Sequence, residues 1–341
     1  EKGQIFAAVC CATIPMGILQ ASSTQNDYVA AFWVACFVSL GLELLTEPVS
    51  RLNVMLAASA LGLAALTKPS TLLFAAPFVL WIVAVSCLRR AISFPMLACA
   101  VLAIVLINVP HDVRNLRMFG SVLGPSEEVS WLQNEVHSPA AVASNLIRNV
   151  AIHAGGFPRS GSDHPLGRVI LAAVEKLHQM IGLATNDRRI TFRDANFRVG
   201  VMLHEDEAGN PLHLMLGGLA ILMCLLSTTA VTSRRLYALS LCMGFLLFCF
   251  FLKWQPFHAR LHLPWFVLAA PPASTEYALA VRIASGPSSA ADLVVSGNST
   301  VIQGTSPWLI GFAEANISSV AQSGNSPGLT VRPVWSSTNA D

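Results

Sequence analysis

Apolar residues gather along this chain in long, unbroken runs, without the alternation of a half-buried strand. Runs at 5–20, 28–45, 52–66, 71–88, 91–109, 212–231 and 236–252 are separated by short polar stretches, except where the long segment 110–210 intervenes. Uninterrupted apolar stretches near ~20 residues read as membrane-spanning helices. Several of these runs fall short of ~20, which leaves their ends open. A further run, Leu261 to Pro272, is twelve residues long. At ~1.5 Å per residue it cannot cross ~30 Å of hydrocarbon, and it is expected to lie at the interface.

The pattern changes between 110 and 210. This stretch holds 10 of the 21 basic residues, 11 of the 19 acidic ones and six of the nine histidines, so it reads as solvated. Within it, Ala140 to Ile152 and Leu166 to Ile181 place apolar residues at helical spacing. Ser138 and Pro139 suit a helix start. Two readings stand for both helices: elements lying on the membrane surface, or parts of a small soluble subdomain. From Ala273 on, Ser, Gly, Asn and Pro dominate. That tail is expected to be disordered, with Asp292 to Val295 and Ser299 to Gln303 as short alternating pieces. The predicted fold is all-α and integral to the membrane, a bundle of about seven helices. Its parts are 1–109 (about five spans), a partly helical extracytoplasmic segment at 110–210, two spans and the interfacial run at 211–272, and the tail at 273–341.

Composition agrees. Apolar residues make up 54% of the 341 and charged ones 12%, against ~25% charged in an average globular domain. A net charge of +2 leaves no basic excess for nucleic acid. The eight cysteines all lie in apolar runs with no CxxC, and read as small buried hydrophobes. The chain opens at Glu1 without a basic leader, and is expected to begin part-way through a longer protein. Numbering the sides alternately places Lys2, Arg51, Arg89, Arg90, Arg234 and Arg235 on one side and Lys68, Lys253 and Arg260 on the other. The positive-inside bias makes the first side cytoplasmic. The Asp27 loop, the Lys68 turn, the 110–210 segment and the 253–262 stretch then all face outward.

The candidate chemistry lies on that outer side. Asp27 precedes an apolar helix, as an N-cap or as a carboxylate at the mouth of the bundle. Lys68 is a snorkelling lysine or a phosphate ligand. After Pro110, read as the end of a span, come His111, Arg114 and Arg117. Arg114 and Arg117 share a helix face and suit headgroups or a phosphate. Gly120 to Pro125 reads as a turn. Glu205 and Asp206, beside His204 and Glu207, form a solvated helix entry or a divalent-cation site. In Lys253 to Pro264, Lys253 and Arg260 read as phosphate ligands, with Trp254 against a sugar face. Interface aromatics with snorkelling cations are the other reading. His258 reads with the substrate-binding residues of this stretch, and His258 and His262, four apart, are also a conceivable metal pair.

Gln25-Asn-Asp-Tyr-Val-Ala-Ala-Phe-Trp33, Leu66-Thr-Lys-Pro69, the stretch His111 to Pro125, Glu205-Asp-Glu-Ala-Gly-Asn-Pro-Leu-His213 and the stretch Lys253 to Pro264 together resemble bacterial polytopic glycosyltransferases. Those are similar to family 39, the dolichyl-phosphate-mannose-protein mannosyltransferase-like group of the GT-C superfold. The resemblance covers roughly residues 15–270. It implies sugar transfer, with inversion, from a polyprenyl-phosphate carrier to a glycan, lipid or protein acceptor outside the bacterial plasma membrane. It implies Lys68, Arg114, Lys253 and Arg260 at the lipid phosphate and Asp27 as a supporting carboxylate. The family's main catalytic acid lies in a first outer loop, which is expected to precede residue 1. The tail after Ala270 departs from the family, which continues there with apolar helices. A transporter or flippase of lipid-linked or anionic substrates is the alternative. Against it, no internal repeat is visible, and only Glu43 is charged inside a span.

Overall fold

The computed structural model describes residues 2–154, 165–199, 206–227 and 232–272. The described residues are helical, with two isolated β-bridges and no longer strand. The predicted strand pieces of the tail, together with His204 and Glu205, lie outside them.

Among the described residues every predicted apolar run is largely helical, the first with a break between Ala12 and Pro15. In chain order the helices are α1 (Lys2–Ala12), α2 (Pro15–Ala21), α3 (Asp27–Thr46), α4 (Arg51–Thr67), α5 (Leu72–Leu88, entered by a 3-10 turn at Pro69–Thr71) and α6 (Phe94–Phe119). There follow α7 (Ser126–Leu132), α8 (Pro139–Ala154), α9 (Pro165–Ile181), α10 (Pro211–Leu226), α11 (Thr232–Phe251), α12 (His258–Leu261) and α13 (Leu263–Pro272). Four are long and apolar enough to cross a membrane: α3, α5 with its leading turn, α6 and α11. The bent pair of α1 and α2, at 65°, makes a fifth if counted as one span. Apolar α4 and α10 have 17 and 16 residues, or roughly 25 Å at 1.5 Å per residue.

The α1–α2 break frees backbone groups that cannot stay unpaired in an apolar setting. Side chains from elsewhere take them up. Asn210 Oδ1 accepts from Met16 N at 2.9 Å, His213 Nε2 donates to Cys10 O at 2.9 Å, and Tyr28 Oη donates to Cys11 O at 2.8 Å.

Small residues set the helix spacing. A Cβ on Gly244 of α11 would lie 3.1 Å from Phe74 Cα, so the α5 and α11 backbones touch. Gly62 does the same for α4 against Ile104 of α6. This is how apolar helices pack where lipid competes for every large side chain.

Three expectations are corrected. Pro110 does not end a span. It forfeits the backbone bond to Leu106, yet α6 continues to Gly120, whose φ of 69° caps it with an N–H to Leu116 O. The twelve-residue run does not lie exposed on a surface. Leu263, Trp265, Phe266, Leu268, Ala269 and Ala270 are buried, and Trp265 and Ala269 meet Gly217 of α10. Cys87 and Cys99 are exposed on helix faces rather than buried; all eight cysteines are free thiols.

Helix α8 begins as read, with Ser138 Oγ accepting from Ala141 N at 3.2 Å. It does not lie freely on a surface. Asn145 Nδ2 donates to Cys249 O at 2.9 Å and Leu252 O at 3.1 Å, which seats α8 against the C-terminal end of α11. Beyond α11, residues 252–254 run as a strap between two extended pieces. Lys253 N donates to Leu132 O, Trp254 N to Ile190 O and Phe192 N to Trp254 O, at 2.8–2.9 Å.

Arg148 of α8 locks this assembly. It is fully buried and donates to Thr185 O (2.9 Å), Thr191 Oγ1 (2.8 Å), Asn145 Oδ1 (2.6 Å) and Ile190 O (3.1 Å). Its guanidinium carbon stands 5.4 Å from the centre of a Trp254 ring. Burial pushes it down to about 9, so it stays charged at neutral pH. Removing it strands four acceptors, at about 1–3 kcal/mol each. Arg148→Ala is therefore expected to lower the thermal midpoint of the detergent-solubilised protein by about 6 °C, the equivalent of roughly 4 kcal/mol for a chain of this length. Arg148→Lys, which keeps the charge but not the fork, is expected to recover less than half. An unchanged midpoint in Arg148→Ala would refute the role.

Candidate functional site

Four charged side chains from four separate segments meet at one end of the bundle. Asp27 is the first residue of α3, Lys68 follows α4, Asp206 precedes α10 and Arg260 sits on α12. Helices α3 and α4 run antiparallel, so the start of one and the end of the other coincide. The expectation that Asp27 caps its helix is overturned. Asn26 occupies that position without a side-chain cap, and the Asp27 carboxylate turns into the protein instead.

Asp27 is 1% exposed and pairs directly with Lys68 through Oδ1. Arg260 Nε stands 3.8 Å from Asp27 Oδ2, and neither atom has a hydrogen-bond partner. Arg260 Nη1 pairs in turn with Asp206. Lys68 and Arg260 keep 21% and 18% of their side chains exposed. Burial pulls the Lys68 ammonium down from its ordinary range, and the Asp27 charge opposes that. The cluster thus layers a buried carboxylate, two half-buried cations and a carboxylate at the rim. Formally it is neutral, and its cations are reachable from one side. Such a site can take an anion by exchanging the rim carboxylate for it.

The other predicted residues do not join. Lys253 is buried and pairs with Glu135 Oε1 at 2.5 Å. Trp254 is fully buried against Phe197 and Arg148, so it has no face for a sugar; it is the centre of the strap. His111, Arg114 and Arg117 are exposed on the last turns of α6, with Asp112 3.7 Å from His111. As metal candidates, Glu205 lies outside the described residues and Asp206 is held by Arg260. Among the described residues no three His, Cys, Asp or Glu side chains are grouped to hold a metal.

His258 and His262 are fully buried, and their partners fix their tautomers. His258 Nδ1 donates to Asn149 Oδ1 at 2.8 Å, since the Asn149 amide nitrogen points at Cys249 Sγ. His153 Nδ1 accepts from Asn210 N at 3.3 Å, so its Nε2 donates to His262 Nδ1 at 2.9 Å. All three rings are neutral links between α8, the entry to α10 and the segment after α11.

The sequence reading missed this network: Asn134, Asn145, Arg148, Asn149, His153 and Asn210. A signal was present in α8, where Asn145, Arg148, Asn149 and Ile152 share one face with Ala141. Polar residues on the packing face of a helix mark a buried hydrogen-bonded seam as readily as a solvated one.

Comparison with protein-family models, with curated proteins and with solved structures returned no match to the chain.

The three histidines predict acid lability. Burial holds His153 down to about 3, and His258 and His262 well below their ordinary range. Above about pH 7.5 folded and unfolded rings are all neutral and contribute no slope. Below it the unfolded chain binds protons that the folded one refuses, so stability falls with pH. Each ring is expected to cost about 1.4 kcal/mol by pH 5.5. Thermal melts at pH 7.5 and 5.5 measure this, and His153→Gln is expected to show a smaller drop between them. Equal midpoints at both pH values in the parent protein would overturn the assignment.

Proposed function

We propose that the chain belongs to a membrane glycosyltransferase. It moves a sugar from a polyprenyl-phosphate carrier to an acceptor on the extracytoplasmic side of a bacterial plasma membrane, with inversion. The observation that carries the reading is the meeting of Asp27, Lys68, Asp206 and Arg260 at one end of an apolar helix bundle. All four belong to the motifs on which the resemblance rests.

The chemistry runs as follows. A sugar leaving a lipid phosphate deposits charge on that phosphate, and fixed cations in a poorly solvated place stabilise it most. Lys68 and Arg260 supply those cations. Asp27, behind them, is the supporting carboxylate that holds both side chains toward the substrate. Asp206 occupies Arg260 until the donor phosphate displaces it. Arg114 and Arg117, on the exposed end of α6, bind lipid headgroups at the same surface. In this reading α4 and α10 also cross the membrane, giving about seven crossings, and the six-to-three distribution of short-loop cations puts the site outside.

The purified chain is expected to retain undecaprenyl phosphate in preference to undecaprenol, read by native mass spectrometry. Lys68→Gln and Arg260→Gln are each expected to weaken retention about tenfold, the equivalent of ~1.4 kcal/mol. Equal retention of alcohol and phosphate, or parental binding by both variants, would sink the site. Membranes carrying the full-length protein, supplied with radiolabelled polyprenyl-phosphate-mannose, test the transfer step. Retention of the phosphate with no sugar transferred would favour carriage of the lipid over chemistry on it.

A further inference from the structure

Helix α9 carries three stripes where a helix on a soluble domain needs two. Leu166, Val169, Ala173, Leu177 and Met180 recur at steps of three, four, four and three residues, and all are exposed. Val169 and Met180 are 66% and 75% exposed. One residue later along the chain come Gly167, Val174 and His178, which are buried. One residue later again come Arg168, Glu175 and Gln179, which are polar and exposed. Successive residues are ~100° apart around a helix, so the stripes face three different ways.

The buried stripe has its partner. His178 Nδ1 donates to Val174 O at 2.8 Å, so Nε2 accepts from Ser144 Oγ of α8, also at 2.8 Å. The polar stripe faces water. No element among the described residues covers Val169, Ala173, Leu177 and Met180 of the exposed apolar stripe.

The level of α9 in the molecule says what does. It packs beside α8. Helix α8 is bonded through Asn145 to the C-terminal end of membrane-length α11, and through His153 to Asn210 at the start of apolar α10. Helix α9 is thus one packing partner removed from the ends of the apolar helices, where the headgroup and acyl-chain boundary of a bilayer falls. A helix there that also abuts protein needs one side for the protein, one for lipid and one for water.

We propose that α9 lies in the membrane interface, with its Leu166 to Met180 stripe set among lipid acyl chains beside the bundle. Of the two helices read as surface elements, α8 belongs to the protein core and α9 to the lipid boundary. The proposal needs the membrane but not the sugar-transfer reading, and either can fail without the other.

The test places a benzophenone-bearing amino acid at Val169, Glu175, Gln179 or Met180 of the full chain. Each variant is reconstituted in phosphatidylcholine–phosphatidylglycerol vesicles and illuminated, and the products are read by mass spectrometry. All four positions are exposed, so the probe adds no internal clash. Lipid adducts are expected at 169 and 180 in several-fold excess over 175 and 179. Equal adducts at the four positions would overturn the proposal. So would cross-links from 169 and 180 to a second copy or to residues 273–341, which would name the true occupant of the stripe.

Discussion

A guanidinium with no exposed surface must find its acceptors inside the protein, and wherever it finds them the chain is pinned. Arg148 faces no carboxylate across a hydrogen bond. Its acceptors are two main-chain carbonyls, a threonine hydroxyl and an asparagine amide. A lysine could not reach four acceptors in one plane. Through them Arg148 fixes residues 185–191, and through Trp254 it fixes the strap that follows α11. A charge buried on dipoles alone is tolerable only while every dipole stays in place. The segment between α6 and α10 is therefore rigid where it meets the strap, although much of its outer surface is polar.

The ionic cluster depends on that pin at one remove. Arg260 is six residues beyond Trp254 and two beyond His258, whose ring is held by Asn149, the residue after Arg148. The strap and α12 thus deliver Arg260 to Asp27 from a base anchored on α8. Asp27 and Lys68 come from the opposite direction, on α3 and α4. The site is where the α3–α4 end of the bundle meets the strap and α12, and a carboxylate with 1% exposure is what they close around.

How much of this is legible in sequence follows from the range of each interaction. The membrane-length helices could be read because hydropathy is a local property. The runs 28–45, 52–66, 71–88 and 236–252 became helices within a few residues of their expected ends, whereas 91–109 runs on to Phe119. The starts of α8 and α9 followed from Ser138, Pro139 and helical periodicity. Pro110 misled because the rule that proline ends a helix is only statistical. A helix exposed on most sides, as α6 is, loses one hydrogen bond there and no packing. Leu261 to Pro272 misled for another reason: its length ruled out a crossing, but only the partners on α10 and α11 reveal that it is core. Trp254 and Lys253 look like interface residues in sequence, because aromatic rings beside cations do mark interfaces. Their burial comes from the strap pairing with 132–134 and 190–192, contacts at a distance of more than sixty residues.

Asp27, Lys68, Asp206 and Arg260 were each visible as isolated charges beside apolar runs, and each had a plainer explanation alone. Their meeting removes the plain explanation from three of them. A helix cap is satisfied by backbone N–H groups, and Asp27 is not so used. A snorkelling lysine reaches outward to water, whereas Lys68 points to a carboxylate with almost no contact with water. An arginine at the interface spreads over headgroups, whereas Arg260 bridges two acids. Burying Asp27 costs several kcal/mol unless its cations are held close, so the arrangement persists only where both remain beside it. Asp206 is the most exposed of the four at 29%. In the proposed reading an incoming anion meets a graded site: the rim carboxylate gives way, and the buried carboxylate keeps the two cations in place to receive the anion.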